Sequence, residues 1–249
     1  MDAGVPDMDR FFASASAWQE GQVSLDQDES HHCLRVMRKQ LGDEIEVFDG
    51  EGCWARGVIA ESEDGVVRVE VRDEGRAEER PPLITLAVAI PKGKTMELIV
   101  QKAVELGASA IQPLMTEHTV VRVDGKEALK KREKWQRVAV EACKQCGRNV
   151  LPPVHAPATL EDWLAMRSGR AGLVASLAKG AVPMRTAIEQ LPEELAELDL
   201  LIGPEGDLSP AETEAATVSG FQAVSFGEIT LRMETAVMFG LSVLGYELA

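Results

Sequence analysis

The 249-residue sequence predicts an α/β protein in two parts, a small β-rich domain followed by a larger α/β domain with a mostly parallel sheet. Three observations carry this expectation. In residues 1–72, short β-prone stretches are separated by turns rich in Asp and Gly, the punctuation of a small antiparallel sheet or barrel. Residues 73–82 are charged, end in Pro81-Pro82 and lack apolar periodicity, as a linker does. From 83 to 249, apolar runs of strand length alternate with segments of helical spacing, the pattern of strands buried on both faces by crossover helices.

In the first domain the expected strands are Glu44–Phe48, Cys53–Ala60 and Val66–Val71, divided by Asp49-Gly50-Glu51-Gly52 and Glu63-Asp64-Gly65. Asp28–Arg38 differs: acids come first, bases last, and apolar residues recur three or four apart, which predicts a short helix matched to its dipole. In the second domain Leu83–Ile90, Ala110–Met115, Leu173–Ser176, Leu198–Ile202 and Ala223–Phe226 read as strands. Thr95–Leu106 reads as a helix with Met96, Ile99, Val100, Ala103 and Val104 on one face and Gly107 as its stop. Lys126–Cys146 is expected as a long basic helix, and Pro183–Gln190, Pro210–Ser219 and Glu234–Leu248 as shorter ones.

The formal net charge of −15 argues against a polyanionic partner until its distribution is read. Residues 1–80 carry 9 basic and 20 acidic groups, and residues 156–249 carry 5 and 14. Residues 81–155 carry 12 basic and 7 acidic groups, so a basic middle lies between acidic flanks and leaves room for a polyanion-binding surface. No apolar run approaches the roughly 18 residues of a membrane span, and the acidic start lacks a signal-like basic region, so a soluble, cytoplasmic protein is expected. Cys33, Cys53, Cys143 and Cys146 are too few for a disulfide framework and read as reduced thiols. The lone Cys143-x-x-Cys146 falls in an expected helix, and His31 and His32 have no acids at ligand spacing, so no metal is expected.

Two stretches point to chemistry. In Leu198–Pro210 a buried strand enters a tight Gly203-Pro204-Glu205-Gly206 loop, and a helix then opens with Ser209 as N-cap, Pro210 in its first turn and Glu212 three residues after the cap. Ligands of open α/β sheets bind at the carboxyl ends of strands, where such a loop lies. In Phe226–Ala236, which follows the next strand, Arg232, Glu234 and Thr235 precede an apolar helix rich in small residues. Either stretch also serves as an ordinary strand-to-helix connection; an Arg beside an acid and a Gly-rich loop would orient an anionic or planar substrate.

Together these stretches resemble the cofactor loops of the SPOUT class of methyltransferases, and specifically the RsmE family, which methylates a uridine ring nitrogen in small-subunit ribosomal RNA. His31–Arg38 with Gly42-Asp43 and Phe48-Asp49-Gly50 is similar to that family's PUA-like N-terminal domain. Ala89–Lys94, Gln101–Gly107, and Glu141 with Gln145, Gly147, Arg148 and Asn149 resemble the start of its catalytic domain. The chain departs at Asp207, where the family usually has a second glycine.

The resemblance implies a PUA-like domain over 1–72, a methyltransferase domain over 83–249 with a trefoil knot, and an obligate homodimer whose partner subunit completes the site. It implies S-adenosylmethionine held by the loops after Leu173–Ala175, at Gly203–Gly206 and at Phe226–Leu231, with Leu201, Gly203, Pro204, Glu205, Gly206, Phe226, Gly227, Leu231 and Ala236 as cofactor residues. Arg232, Glu234 and Thr235 are the implied catalytic set: Arg232 stabilises the uridine anion, Glu234 orients Arg232 or accepts the proton, and Thr235 holds the base or caps the helix. Arg10, Arg35, Arg38, Lys92, Lys94 and Arg148 are candidate phosphate contacts to ribosomal RNA. The competing expectation is a non-catalytic RNA-binding or ribosome-assembly protein with a degenerate pocket, favoured by Asp207 alone.

Overall fold

A computed structural model describes residues 8–119, 122–167 and 169–248. The chain divides into two compact units, one ending at Glu79 and including Cys143–Leu151, the other comprising Arg80–Ala142 and the residues from Pro152 onward.

The first unit is a six-stranded sheet of β1 (Arg10–Phe12), β2 (Trp18–Gln19), β3 (Gln22–Ser24), β4 (Glu44–Phe48), β5 (Cys53–Glu63) and β6 (Val66–Arg76), in the order β1-β4-β5-β6-β3-β2. Its ladders are antiparallel except β1–β4, which is parallel. Alternation puts Ile45, Val47, Ile59, Val67 and Val69 in one core with Phe11, Val23 and Leu25. β6 runs four residues into the expected linker because Asp73–Arg76 pair with Cys53–Arg56. The expected helix is α1 (Gln27–His31), capped by Asp26 through Glu29 N, continuing as a π-helical turn over His32–Val36.

The second unit is a seven-stranded, all-parallel sheet of β7 (Leu83–Ala89), β8 (Ala110–Met115), β9 (Ala158–Thr159), β10 (Ala171–Ala175), β11 (Val182–Pro183), β12 (Glu197–Ile202) and β13 (Phe221–Ser225). The order is β11-β13-β10-β12-β7-β8-β9. The helices are α2 (Thr95–Glu105), α3 (Gly125–Cys146), α4 (Leu160–Met166), α5 (Met184–Glu189), α6 (Pro210–Val218) and α7 (Met233–Glu247). α6 begins as the sequence predicts: Ser209 accepts from Glu212 N, and Glu212 accepts from Ser209 N, a complete capping box with Pro210 in the first turn. α4 has the same kind of start, Thr159 accepting from Asp162 N at 3.1 Å, a Thr-x-x-Asp signal not singled out in the sequence.

α7 starts at Met233, so Glu234 and Thr235 lie in its first turn. Its small residues divide between two uses. A Cβ on Gly240 would meet Leu200 Cδ2 at 2.8 Å, so this glycine lets α7 approach β12, whereas Ser242 and Gly245 are exposed. Cys143 and Cys146 fall on the last turn of α3, the first buried and the second exposed; burial pushes the Cys143 thiol up to about 12, and that of Cys33 to about 11. Both stay protonated at neutral pH and are poor nucleophiles or metal ligands.

Candidate active site

At the carboxyl ends of β10, β12 and β13 lies a cavity of about 510 Å³. Three chain segments make its walls: Ala175–Leu177 after β10, Ile202–Glu205 with Asp207 after β12, and a stretch from Phe226 to Ala236 after β13; Thr95 of α2 completes it. Parallel strands all end on this side, so each following loop is delivered to the same crevice.

The β12 loop is held in a strained but anchored shape. Asp207 adopts a left-handed conformation with φ +63°, which explains why a glycine suits this position. Asp is tolerated because its short carboxylate bonds locally: Oδ1 accepts from Leu208 N at 2.8 Å, and Asp207 N donates to Pro204 O at 2.9 Å. A Cβ on Gly203 would sit 3.3 Å from Leu208 Cγ, so this glycine seats the loop on Leu208 as well as keeping backbone near the cavity. In the β13 loop Gly227 has φ +116°, a conformation L side chains rarely adopt, and its N–H donates to Ser225 Oγ at 3.2 Å.

Arg232 is the N-terminal boundary residue of α7, exposed and on the cavity wall. Its carbonyl accepts from Ala236 N, the first bond of the helix. Among the described residues its guanidinium has no ion pair or hydrogen bond to the protein, so its donors face the cavity unspent. Glu234, half-buried, lines the same wall and makes no ion pair with Arg232. The contact by which Glu234 would orient Arg232, one of the two roles the resemblance implies for it, is not made.

Of the expected cofactor residues, Gly203, Pro204, Glu205, Phe226, Gly227, Leu231 and Ala236 line the cavity. Leu201 and Gly206 do not, nor does Thr235 of the expected catalytic set. Leu201 is fully buried in the core among Ala87, Leu114 and Val174, because alternation along β12 points it away. Gly206 instead faces His118, where a Cβ would meet the His118 Cβ at 3.4 Å. Thr235 is exposed outside the cavity. Ser176 and Leu177 join the walls from the loop after β10, and Thr95 joins from the start of α2 without a signal in the sequence.

The expected phosphate contacts separate by burial. Arg35, Arg38, Lys92 and Lys94 are exposed. Arg10 is corrected to a structural residue: its side chain is 8% exposed, its Nε donates to Glu46 at 2.7 Å, and one terminal nitrogen donates to Cys143 O at 2.8 Å. Its guanidinium also lies 4.8 Å from the Phe48 ring centroid. Arg148 is half-buried in an ion pair with Glu79.

Residues 78–245 match the RNA methyltransferase domain family, and residues 25–71 match the RNA methyltransferase PUA domain family. The chain is 35% identical over 224 residues to the ribosomal RNA small subunit methyltransferase E of Synechocystis sp., covering 90% of this chain and 72% of the relative. It is 32% identical over 248 residues to the protein of the same description from Bacillus subtilis, covering 96% and 97%. Among solved structures, a methyltransferase from Legionella pneumophila in complex with S-adenosylmethionine is similar with a TM-score of 0.87 at 30% identity, covering 96% of this chain and 98% of that one. A ribosomal RNA small subunit methyltransferase E from Neisseria gonorrhoeae bound to S-adenosylmethionine gives 0.82 at 32% identity, covering 95% and 96%. Fold and loops together define an RNA methyltransferase with a PUA-like N-terminal domain and an α/β domain built on a parallel sheet. The chain belongs to the RsmE family of ribosomal RNA small-subunit methyltransferases.

Proposed function

We propose that this protein uses S-adenosylmethionine to methylate the ring imide nitrogen, position 3, of a uridine in small-subunit ribosomal RNA. The observation that carries the reading is the unpaired Arg232 guanidinium on the wall of a 510 Å³ cavity at the carboxyl ends of three strands. That volume is within the range of sites for ligands the size of S-adenosylmethionine. The backbone of the three loops, opened at Gly203 and Gly227, suits a planar adenine and a zwitterionic tail.

The cofactor, when bound, supplies an electrophilic methyl group. The chain's own residues do the rest. The uridine N3 would take up that methyl group, and the N3 proton must leave. Arg232 stabilises the ring anion as that proton departs, and the positive end of α7 adds to the same field. Glu234, free of Arg232, takes the imide proton directly or hands it to water. A duplex hides N3 in its pairing edge, so the base enters the cavity unpaired or flipped. Arg35, Arg38, Lys92 and Lys94 hold phosphates.

A second copy of the chain completes the site in this proposal, and the trefoil knot implied by the resemblance belongs to it too. Its support is apolar surface left open: Leu177 and Ile229 on the cavity rim are 64% and 78% exposed, and Tyr246 near the end of α7 is 83% exposed. Asp207, the one motive for a degenerate pocket, occupies the left-handed conformation that favours a glycine.

The test has two arms. Calorimetry of the purified protein with S-adenosylmethionine should give one site, abolished in Gly203→Val. Mass spectrometry of ribosomal RNA from a deletion strain should show loss of one small-subunit N3-methyluridine, restored by the wild-type gene and not by Arg232→Ala. Cofactor binding with unchanged ribosomal RNA would overturn the substrate.

A further inference from the structure

The loop after β12 is gripped from outside the cavity by a side chain that no part of the chemistry above uses. His118, in the turn Thr116–Thr119 after β8, places Nδ1 2.8 Å from the carbonyl oxygen of Asp207. Its side chain lies beside Gly206, where a Cβ would meet the His118 Cβ, Cγ and Nδ1 at 3.4–3.5 Å. The turn is itself rigid: Thr116 N donates to Thr119 Oγ1 at 3.0 Å, and the two threonine hydroxyls are 2.8 Å apart. It is also tied to the helix that follows the loop, because Glu117 N donates to Glu212 Oε1 at 2.7 Å while Glu212 Oε2 accepts from Ser209 N at 2.9 Å. One carboxylate thus joins the β8 turn to the α6 capping box, and His118 closes the frame on the left-handed residue at its centre.

We propose that His118 is a positioning residue for the cofactor loop, holding the Asp207 peptide so that Gly203–Glu205 keep the shape that receives S-adenosylmethionine. The inference rests on the cofactor reading above and deepens it. A carbonyl accepts only from an N–H, so the grip requires a proton on Nδ1. The imidazolium always has one; the neutral ring has it in only one of two tautomers. The charged groups facing the ring are Glu117 on its own turn and Glu212 on α6, with the Asp207 and Gly206 backbone from the loop; Arg122 enters through a 3.4 Å contact with Glu117 O. The Asp207 carbonyl and the two glutamates push the His118 pKa above its ordinary value. The grip is therefore complete at low pH and relaxes as pH rises through the imidazole's titration.

The experiment is calorimetric binding of S-adenosylmethionine at pH 6 and pH 8 by the wild type, His118→Ala and His118→Asn, an amide that keeps a donor near the δ position without titrating. His118→Ala should bind about three- to tenfold more weakly at pH 6, the scale of one hydrogen bond lost. His118→Asn should recover most of that and bind alike at both pH values, while the wild type weakens from pH 6 to pH 8. Binding by His118→Ala within twofold of wild type, or equal weakening in His118→Asn, overturns the role of His118. Absence of binding by the wild type would instead overturn the cofactor reading itself.

Discussion

The two ends of the parallel sheet use arginine in opposite ways. At the amino end Arg167 is 2% exposed: its Nε donates to Asp199 at 2.6 Å, and its terminal nitrogens donate to Ser219 O at 2.7 Å and Arg170 O at 2.8 Å. Its guanidinium lies 3.9 Å from the Phe221 ring centroid. These partners precede or open β10, β12 and β13, so one side chain rivets three strands. At the carboxyl end of the same strands Arg232 has no protein partner among the described residues. A satisfied arginine holds structure; an unsatisfied one at a cavity waits for an anion. Burial separates the two uses, and the residue type does not.

The largest effect that would break this contrast belongs to Arg167. Arg167→Ala takes from Asp199, fully buried, its hydrogen-bonded counter-charge and leaves Arg170 Nε, 3.7 Å away, as the remaining one; Asp199 Oδ1 already has no hydrogen-bond partner. Burial pushes the Asp199 carboxyl up even with Arg167 present. Truncation should therefore cost about 3–5 kcal/mol of unfolding free energy, read from urea titration, while S-adenosylmethionine affinity of the folded fraction stays near wild type. The double variant Arg167→Met with Asp199→Leu should recover most of the loss, since a buried pair exchanged for apolar side chains is often neutral. A double variant as unstable as the single one would show that strand packing, not the weakened pairing of the Asp199 charge, sets the cost.

Arg232→Ala should do the reverse. Unfolding free energy should stay within about 0.5 kcal/mol of wild type, as for an exposed side chain without partners. Single-turnover methylation of small ribosomal subunits should slow about a hundredfold, roughly 3 kcal/mol, the scale of one preorganised donor lost from a developing anion. Arg232→Lys should rescue little, because a point charge lacks the planar fork. A rate within threefold of wild type would put the stabilisation of the uridine anion elsewhere.

How much of this contrast is legible without coordinates differs between the ends. The cavity loops announce themselves through local chemistry: Gly203-Pro204, the Ser209–Glu212 box and the arginine before α7 all lie within short windows. Strands β4 and β8 have the limits their patterns predict. The rivet is not local. Asp199 stands as a lone acid in a buried strand, a visible oddity, but its partner lies 32 residues away, and periodicity carries no pairing across that distance. The same limit misassigned Arg10, whose partners lie 36 and 133 residues along the chain. β1, β2, β3, β9 and β11, at two or three residues each, are too short for alternation to register.

The comparison extends to the first unit, where Arg10 is buried and Arg35 and Arg38 are exposed. Each exposed arginine that meets a phosphate should reduce the slope of log affinity against log salt by about one unit when changed to Ala. Arg10→Ala should instead destabilise the unit by uncovering the Glu46 carboxylate, with RNA salt slope unchanged after correction for the folded fraction. Unaltered affinity and slope in the Arg35→Ala, Arg38→Ala double variant would remove this unit from RNA reading.

The smallest effect should come from Asp207→Gly, which asks whether the departure at this position matters. Glycine removes the cost of a left-handed side chain but gives up the bond from Leu208 N to Oδ1, and it frees the unfolded chain. These contributions oppose one another at about 1 kcal/mol each, so the net change in stability should fall within about 0.5 kcal/mol of zero. Cofactor affinity tests the loop's shape separately. With the Asp207 carbonyl still available to His118, S-adenosylmethionine binding should change by less than about threefold, under 0.7 kcal/mol. A gain of tenfold or more would mean that the carboxylate intrudes on the cavity wall. A loss of that size would mean that its bond to Leu208 N shapes the loop more than the grip from outside does.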